Sequence, residues 1–347
     1  MMNSHEIYMH RCLQLAQLGE GYVAPNPMVG SVLVYEDKII GEGYHPVFGE
    51  AHAEVNCINS VSEKNKDFIP LSTLYVSLEP CAHFGKTPPC TDFIITAGIK
   101  KVVVGCQDTF KQVDGKGITQ LKQAGIEVMV PVLENKCREL NRMFFTFHNK
   151  QRPFILLKWA ESGDHFIGSI DSRLHISNEF SNRFVHQLRA GKSAILIGTN
   201  TALKDNPSLT TRLAAGPSPI RLIIDLQKRL PVNLKIFDDS QRTIIFTLAP
   251  SLVKGNVEWF QLNDADNIAD QIAAACYKLN IQSILVEGGA QTLQTFINEQ
   301  LWDEAIIIKN TTMHAGSGVA APILSGASLH HTHLLENDLI SFYNRTT

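Results

Sequence analysis

Hydrophobic and polar positions follow helical and strand periods along the first 150 residues of the chain. An amphipathic pattern predicts a helix over 6–18, and apolar runs between turn residues predict strands. Further helices are expected at 53–61, 89–97, 117–124 and 133–147, with strands at 31–35, 38–44, 74–78, 101–105 and 126–130. Because helices and strands alternate at this pitch, we predict an α/β domain with a mostly parallel sheet covered by helices.

A second set of apolar runs begins at 154–159, where the pattern is typical of a buried strand. The other predicted strands lie at 194–197, 220–226, 243–247, 283–286 and 305–308, and the predicted helices at 179–189, 265–278 and 290–298. This pattern indicates a second α/β domain that does not repeat the first. We place the domains at 1–148 and 153–347, joined through 148–153.

Composition narrows the class of protein. The chain has 347 residues, 44% of them hydrophobic, which is enough for two domains of ordinary size. A formal charge of −3 without a long basic run disfavours broad attraction to nucleic acid. The first residues lack the apolar core of a signal peptide, no apolar stretch is long enough to cross a bilayer, and seven irregularly spaced cysteines disfavour a disulfide framework. We therefore predict a cytoplasmic protein with neither a nucleic-acid nor a membrane partner.

Four residues in the first half carry the chemistry. His52, Cys81 and Cys90 supply an imidazole and two thiols, a zinc ligand set that leaves a fourth position open for water. Bound zinc lowers the pKa of that water from about 15.7 to roughly 7. Glu54 is predicted to be the catalytic proton shuttle, as in zinc nucleobase deaminases, whose signature is His-x-Glu followed by Pro-Cys and a second Cys. Eight residues separate the two cysteines here, where two are usual.

Two structural alternatives remain open for this cluster. The residues could be core cysteines and a helical histidine, as we expect for the chain's other cysteines. They could also form a closed structural zinc site with His83 as the fourth ligand, which would leave Glu54 without a purpose. Against these, Pro89 before Cys90 predicts a helix start, where a thiolate is favoured.

Phosphate-binding features appear in the second half. Gly288 and Gly289 join a strand to a helix, and amides at such a helix start attract phosphate, although a glycine turn without a ligand is an equal alternative. A second cluster contains Arg189, the segment 198–207 and Arg212. Its arginines and hydroxyls could hold a phosphorylated sugar and a nucleotide, or could be solvated surface.

These motifs resemble one family over nearly the full length of the chain, the bifunctional riboflavin-biosynthesis proteins that join a pyrimidine deaminase to a pyrimidine reductase. The resemblance implies a cytidine-deaminase-like first domain and a dihydrofolate-reductase-like second domain. The matching segments are Pro25-Asn26-Pro27-Met28-Val29-Gly30, His52-Ala53-Glu54, Ser77 through Cys90, Leu188-Arg189-Ala190, Gly198 through Arg212, and Val286-Glu287-Gly288-Gly289.

The resemblance also implies the reactions and their contacts. Zn²⁺ would serve the deamination of a diaminopyrimidinone ribosyl phosphate, and NADPH would then reduce its ribosyl group to ribityl. The implied deaminase substrate contacts are Asn26, His45 and Lys86; the implied cofactor contacts are Ala160, His175, Thr201, Asp205 and Gly289; and the implied reductase substrate contacts are Arg189, Leu209, Arg212 and Glu287. Asp205, close to Pro207, could instead be a turn former.

The chain departs from the family pattern in three places. It has Ser162-Gly163-Asp164-His165 where Ser-Leu-Asp-Gly is common, His175-Ile176-Ser177 in place of Trp-Ile-Thr, and Asp108-Thr109-Phe110 in place of Asp-Pro-Asn. These departures leave open a deaminase with a silent reductase-like domain. Two further alternatives, independent of the departures, are a zinc deaminase for another nucleobase and a zinc-stabilised binding protein. The preference for NADPH over NADH rests on the resemblance alone, and a homo-oligomer is compatible with the sequence.

Overall fold

A computed structural model describes residues 4–84, 88–109, 114–169 and 174–346. The chain divides into two compact units, Met1–Gln151 and Arg152–Thr347. Within the described parts of the chain, no helix has both the length and the apolar character needed to cross a membrane.

The first unit contains one five-stranded sheet and six α-helices among its described residues. Its strands are β1 (Gly30–Tyr35), β2 (Lys38–Tyr44), β3 (Thr73–Leu78), β4 (Lys101–Cys106) and β5 (Glu127–Met129). Its helices are α1 (Ser4–Gln17), α2 (Ala53–Asn59), α3 (Cys90–Thr96), α4 (Lys116–Gln123), α5 (Glu134–Leu140) and α6 (Arg142–Lys150), with a 3-10 helix at Glu63–Leu71. The predicted alternation of helices and strands is confirmed.

The sheet of the first unit is mostly parallel, as predicted, with one exception: β1 runs opposite to the other four strands. The strand order is β2-β1-β3-β4-β5; β1 is antiparallel to both neighbours, and only the pairs β3–β4 and β4–β5 are parallel. The reason is the tight turn at Glu36 and Asp37, whose positive φ angles of 44° and 60° close a hairpin between β1 and β2.

Helices cover both faces of this sheet, as predicted. Apolar side chains of α1, α5 and α6 pack on one face and those of α2, α3 and α4 on the other. The single helix predicted over 133–147 is divided at Asn141, whose side chain accepts a hydrogen bond from the Met28 amide and donates one to the Met28 carbonyl, both at 2.8 Å. The break therefore ties the end of the domain to the segment that contains Asn26.

The second unit is built on a ten-stranded sheet with the order β11-β12-β10-β9-β8-β13-β6-β14-β17-β16. Its strands are β6 (Phe154–Glu161), β8 (Ala194–Gly198), β9 (Ile220–Ile224), β10 (Thr243–Thr247), β11 (Leu252–Lys254), β12 (Val257–Gln261), β13 (Ser283–Val286), β14 (Glu304–Asn310), β16 (Ala327–Leu335) and β17 (Asp338–Arg345). A separate pair is formed by β7 (Phe166–Gly168) and β15 (Val319–Ala320). The helices are α7 (Glu179–Ala190), α8 (Thr199–Asp205), α9 (Ile268–Lys278) and α10 (Ala290–Asn298), with a 3-10 turn at Lys235–Phe237.

Seven neighbouring strands of this sheet, from β12 to β14, run parallel, so their carboxyl ends share one edge. Helices α8 and α10 begin at that edge, directly after β8 and one short turn after β13. Ligands of open α/β sheets bind at the carboxyl ends of the strands. The edge where α8 and α10 begin is therefore where a site is expected.

Candidate active sites

The predicted zinc ligands meet at one point in the first unit. His52 caps the start of α2, Cys81 follows β3, and Cys90 is the first residue of α3. His52 Nδ1 lies 3.5 Å from Cys81 Sγ and 3.3 Å from Cys90 Sγ, and the three ligand atoms lie within 4.8 Å of one another. Tetrahedral zinc with bonds of about 2.3 Å to sulfur and 2.0–2.1 Å to nitrogen separates such ligands by about 3.5 Å. The donor set and its spacing therefore fit zinc.

The electrostatics of the cluster favour a cation. The Cys90 amide donates to Cys81 Sγ at 3.4 Å. Hydrogen bonds from the Cys90 thiol and from His52 lower the pKa of Cys81 to about 4 against the effect of burial, so that Cys81 is a thiolate at neutral pH. The pKa of Cys90 is raised by its hydrogen bond with Cys81, and the pKa of His52 is raised by its own bond with Cys81. Zinc is bound by thiolates and a neutral imidazole, so its binding would release the protons that Cys90 and His52 retain.

Glu54 lies in the first turn of α2, 3% exposed, against the Cys90 thiol. Burial raises the pKa of this carboxyl above its usual range, which suits a group that must both accept and return a proton. Among the described residues, His83 does not join the three ligands, and its Nδ1 is buried without a hydrogen-bond partner. The described geometry therefore contains an open fourth position rather than a fourth protein ligand.

His45 and Asn26 lie beside the ligand cluster. His45 is 2% exposed, and its ring packs edge-on against His52 at 5.1 Å between centroids. Its Nδ1 lies 3.1 Å from the Ala51 carbonyl and its Nε2 lies 3.1 Å from Asn26 Nδ2. Because a carbonyl only accepts and an amide nitrogen donates, neutral His45 with its proton on Nδ1 satisfies both contacts. Burial lowers the pKa of His45, in agreement with the neutral form. Lys86 and Phe110 lie outside the described residues.

Glu79 anchors the cysteine segment, a role that sequence reasoning missed. Its carboxylate, 4% exposed, accepts four backbone N–H bonds. Oε2 accepts from Asp108 (3.2 Å) and Gly115 (3.1 Å), and Oε1 accepts from Gly117 (2.9 Å) and Ile118 (3.2 Å). Glu79, two residues before Cys81, thus connects the end of β3 to the start of α4. The available signal was an acidic residue between a buried strand and Pro80.

The second unit contains a cleft of about 940 Å³ at the carboxyl edge of its parallel strands. Six of the predicted contacts line it: Ala160, His175, Thr201, Asp205, Glu287 and Gly289. Gly289 has φ +79°, and a Cβ there would lie 3.2 Å from Thr201 Oγ1. Glycine therefore leaves the start of α10 open toward the cleft.

The charged groups around this cleft form one buried network. Arg189 Nη2 lies 2.5 Å from Glu287 Oε2, and Lys158 Nζ lies 3.9 Å from Glu287 Oε1. Burial alone would raise the pKa of Glu287, but the two cations hold it below its ordinary value. Burial lowers the pKa of Lys158. Sequence reasoning missed Lys158, although a lysine that interrupts the apolar run of strand β6 was a visible signal.

The other predicted substrate contacts lie on helix α7, which contains Arg189, and on the loop after α8, which contains Leu209 and Arg212. Arg189 Nη1 reaches the Thr210 carbonyl at 3.5 Å, and the Arg212 amide donates to His186 Nδ1 at 3.0 Å. Leu209, which precedes Thr210 in this loop, is buried and has φ +55°. Arg189, Leu209 and Arg212 do not themselves line the cleft. Through Glu287, Arg189 connects this loop to it.

The departure at Ser162–His165 leaves the turn intact. Asp164 accepts from Ser162 Oγ (2.5 Å), the Ala315 amide (2.9 Å) and the Gly316 amide (2.7 Å). His165 takes φ +64°, a left-handed conformation that favours glycine. Its Nδ1 lies 2.8 Å from Glu161 Oε1, a contact that glycine could not make.

Comparison with known proteins agrees with these two sites. A family model described as "Cytidine and deoxycytidylate deaminase zinc-binding region" matches residues 2–106, and one described as "RibD C-terminal domain" matches residues 153–340. The fold and sites thus define a zinc-region deaminase domain followed by a reductase domain, as predicted. Riboflavin biosynthesis protein RibD of Aquifex aeolicus (strain VF5) is 40% identical over 310 residues, 86% of this chain and 85% of that protein. RibD of Bacillus amyloliquefaciens is 38% identical over 310 residues, 86% of this chain and 82% of that one.

A solved structure extends the likeness to the whole chain. The crystal structure described as a diaminohydroxyphosphoribosylaminopyrimidine deaminase/5-amino-6-(5-phosphoribosylamino)uracil reductase from Thermotoga maritima matches with a TM-score of 0.90 and 35% identity, over 99% of both chains. This chain belongs to the RibD family, the bifunctional deaminase/reductases of riboflavin biosynthesis.

Proposed function

We propose that this chain deaminates 2,5-diamino-6-(5-phosphoribosylamino)pyrimidin-4(3H)-one and then reduces the ribosyl side chain of the product to ribityl with NADPH. Residues 1–148 would carry the first reaction and 153–347 the second. The observation that carries the proposal is the ligand set His52, Cys81 and Cys90 with Glu54 buried against it. The family membership supplies the substrate class.

In the deaminase site, His52, Cys81 and Cys90 would hold zinc. When bound, zinc supplies Lewis acidity that lowers the pKa of a water molecule in the open fourth position. Glu54 accepts one proton from water and delivers it to the ring nitrogen, then accepts the second proton of the same water and delivers it to the leaving amine. The water oxygen remains on C2 as a carbonyl, and ammonia leaves. A carboxyl whose pKa is raised by burial is suited to carry that proton in both directions.

Asn26, His45 and Lys86 are the proposed pyrimidine or phosphate contacts of this site. Neutral His45, held by the Ala51 carbonyl, keeps Nε2 as an acceptor for the Asn26 amide. Asn26 in turn has its amide oxygen left to receive a hydrogen bond from the pyrimidine. Their place beside His52 supports this role.

In the second unit, Ala160, His175, Thr201, Asp205 and Gly289 are the proposed cofactor contacts. NADPH, when bound, supplies the hydride that reduces C1′ of the open-chain imine. The cleft's volume of about 940 Å³ is at the upper end of small-molecule sites, and the glycine at the start of α10 leaves amides accessible to a phosphate. These features fit a dinucleotide. Arg189, Leu209, Arg212 and Glu287 are the proposed substrate contacts.

The alternative of a silent second domain rests on the departures at Gly163, His165 and His175. The Asp164 turn is formed despite His165, and His175 lines the cleft. We therefore favour an active reductase. A cytoplasmic location, the absence of a nucleic-acid partner and a homo-oligomeric state remain expectations.

The Glu54→Gln variant tests the proposed deaminase. Glutamine preserves size but cannot carry the proton, so we expect ammonia release to fall by about 10²- to 10⁴-fold while zinc content stays at one equivalent for each chain. Reduction of the deaminated substrate by the same preparation serves as the control. Unchanged ammonia release from Glu54→Gln, or loss of its zinc, would contradict the assigned role.

A further inference from the structure

We propose that Arg229 binds the 2′-phosphate of the dinucleotide and thereby makes the second domain prefer NADPH to NADH. This inference rests on the proposed reductase function. It concerns a residue outside the family motifs quoted above.

Arg229 lines the cleft from the segment that follows β9, the strand next to β8. The cleft is lined by Thr199–Thr201, which follow β8, and by Leu226, Gln227 and Arg229, which follow β9. Strands β8 and β9 are parallel neighbours, so these two segments leave the sheet at the same edge. In Rossmann-type sites, a carboxylate near the adenosine ribose accepts the 2′-hydroxyl of NAD, whereas an arginine there accommodates the 2′-phosphate of NADP. The same pairing of arginine with phosphate applies in any fold that brings a guanidinium to that ribose.

The acidic residue at the end of β9 is directed away from the cleft. Asp225 is 2% exposed and does not line the cleft. Its Oδ1 accepts from the Arg229 amide and its Oδ2 from the Leu230 amide, both at 3.0 Å. Both carboxylate oxygens of Asp225 are thus occupied in stabilising the turn after β9. The same two bonds fix the backbone from which the Arg229 side chain extends.

Arg229 is also the cleft cation that is available to a ligand. Lys158 is paired with Glu287, and Lys204 donates to the Ser169 carbonyl. In the described part of the chain, the exposed Arg229 guanidinium makes no hydrogen bond or ion pair. A free guanidinium can meet a phosphate dianion with two parallel hydrogen bonds, a geometry that lysine cannot offer.

The competing reading concerns Asp205, an acidic residue that also lines the cleft. If its carboxylate accepted the ribose 2′-hydroxyl, NADH would be preferred and Arg229 would not matter. The two readings predict opposite cofactor preferences.

The test compares two cofactor fragments, 2′,5′-ADP and 5′-AMP, by calorimetric titration of the full chain. We expect 2′,5′-ADP to bind about 10- to 100-fold more tightly, the gain expected from charge-assisted hydrogen bonds. Arg229→Gln should remove most of that difference and leave 5′-AMP affinity unchanged. In kinetics, its KM for NADPH should rise by a similar factor, with KM for NADH and kcat little changed.

Lys228→Gln is the matched control, because Lys228 is the adjacent exposed cation and does not line the cleft. A preference for NADH, an equal loss of both fragments in Arg229→Gln, or the same effect from Lys228→Gln would overturn the proposal. Failure of the reductase function itself looks different: neither fragment binds, and neither NADPH nor NADH is oxidised while ammonia is still released.

Discussion

Glu79→Gln removes half of the anchor that holds the cysteine segment of the deaminase site. The Glu79 carboxylate accepts four backbone N–H bonds at 2.9–3.2 Å, two on each oxygen. Glutamine retains one acceptor oxygen and replaces the other with an amide NH₂, which can only donate. One pair of N–H groups therefore loses its acceptor whichever way the amide is oriented.

The expected magnitude follows from those two bonds. A buried donor left unsatisfied costs about 1–3 kcal/mol, so two cost about 2–6 kcal/mol. Because a domain's whole stability is about 5–15 kcal/mol, we expect the segment around Glu79 and the start of α4 to open locally. Cys81 lies two residues from Glu79, so the zinc ligands would be less preorganised. Residues that orient metal ligands typically change affinity by about 10- to 100-fold, and we expect a loss in that range.

The assay is competition for zinc against a chromogenic chelator, together with ammonia release at saturating zinc. Glu63→Gln is the matched control, because Glu63 is an exposed carboxylate of the same unit whose contact is a surface pair with Lys66. Reduction of the deaminated substrate should be unaffected in both variants. If Glu79→Gln bound zinc as tightly as the parent protein and released ammonia at the same rate, the reasoning from the four bonds would be refuted.

Three further predictions concern the two sites. Removal of zinc with a chelator should abolish ammonia release and leave NADPH oxidation with the deaminated substrate intact; equal loss of both would argue against independent chemistries. Gly289→Ala places a Cβ at φ +79° and ψ 130°, a backbone conformation that favours glycine, 3.2 Å from Thr201 Oγ1. The strain of about 1–3 kcal/mol should displace the start of α10 and raise the KM for NADPH by about tenfold without changing ammonia release. Burial, with Arg189 and Arg212 nearby, lowers the pKa of His186 to about 4. The stability that neutral His186 contributes is therefore complete above the ordinary histidine pKa of about 6.5 and is lost as the pH falls from there towards 4. In unfolding curves measured across that pH range, His186→Gln should abolish this pH-dependent loss of stability.

Local chemistry explains why the zinc site could be predicted. His52, Cys81 and Cys90 lie at element boundaries that the pattern itself marks, namely a helix start after a turn, the end of a buried strand and a proline-capped helix. The ligands are residue types with few alternatives for zinc. Periodicity likewise predicted the buried strands, because a strand covered on both faces is an apolar run.

The contributions missed from sequence depend on distant partners. Glu79 can anchor the cysteine segment only because the fold brings the Gly117 amide, 38 residues away in sequence, within hydrogen-bond distance of its carboxylate. Lys158 belongs to the cleft because Glu287, on a neighbouring strand end, faces it. The hairpin β16–β17 was not predicted, since β16 is an exposed edge strand with polar residues such as His330 and His333 and no apolar run. The reversed direction of β1 depends on the β1–β2 turn, which hydrophobic pattern alone does not orient.

The account's central claim is that one chain performs both reactions, with zinc chemistry in its first unit and hydride transfer in its second. The most direct test supplies purified, zinc-loaded protein with the diaminopyrimidinone ribosyl phosphate, with and without NADPH, and follows ammonia and cofactor absorbance together. We expect ammonia in both reactions and, where NADPH is present, one equivalent of cofactor oxidised for each ammonia released. Ammonia without cofactor oxidation would contradict the assignment of the second unit, and no ammonia from zinc-loaded protein would contradict the whole account.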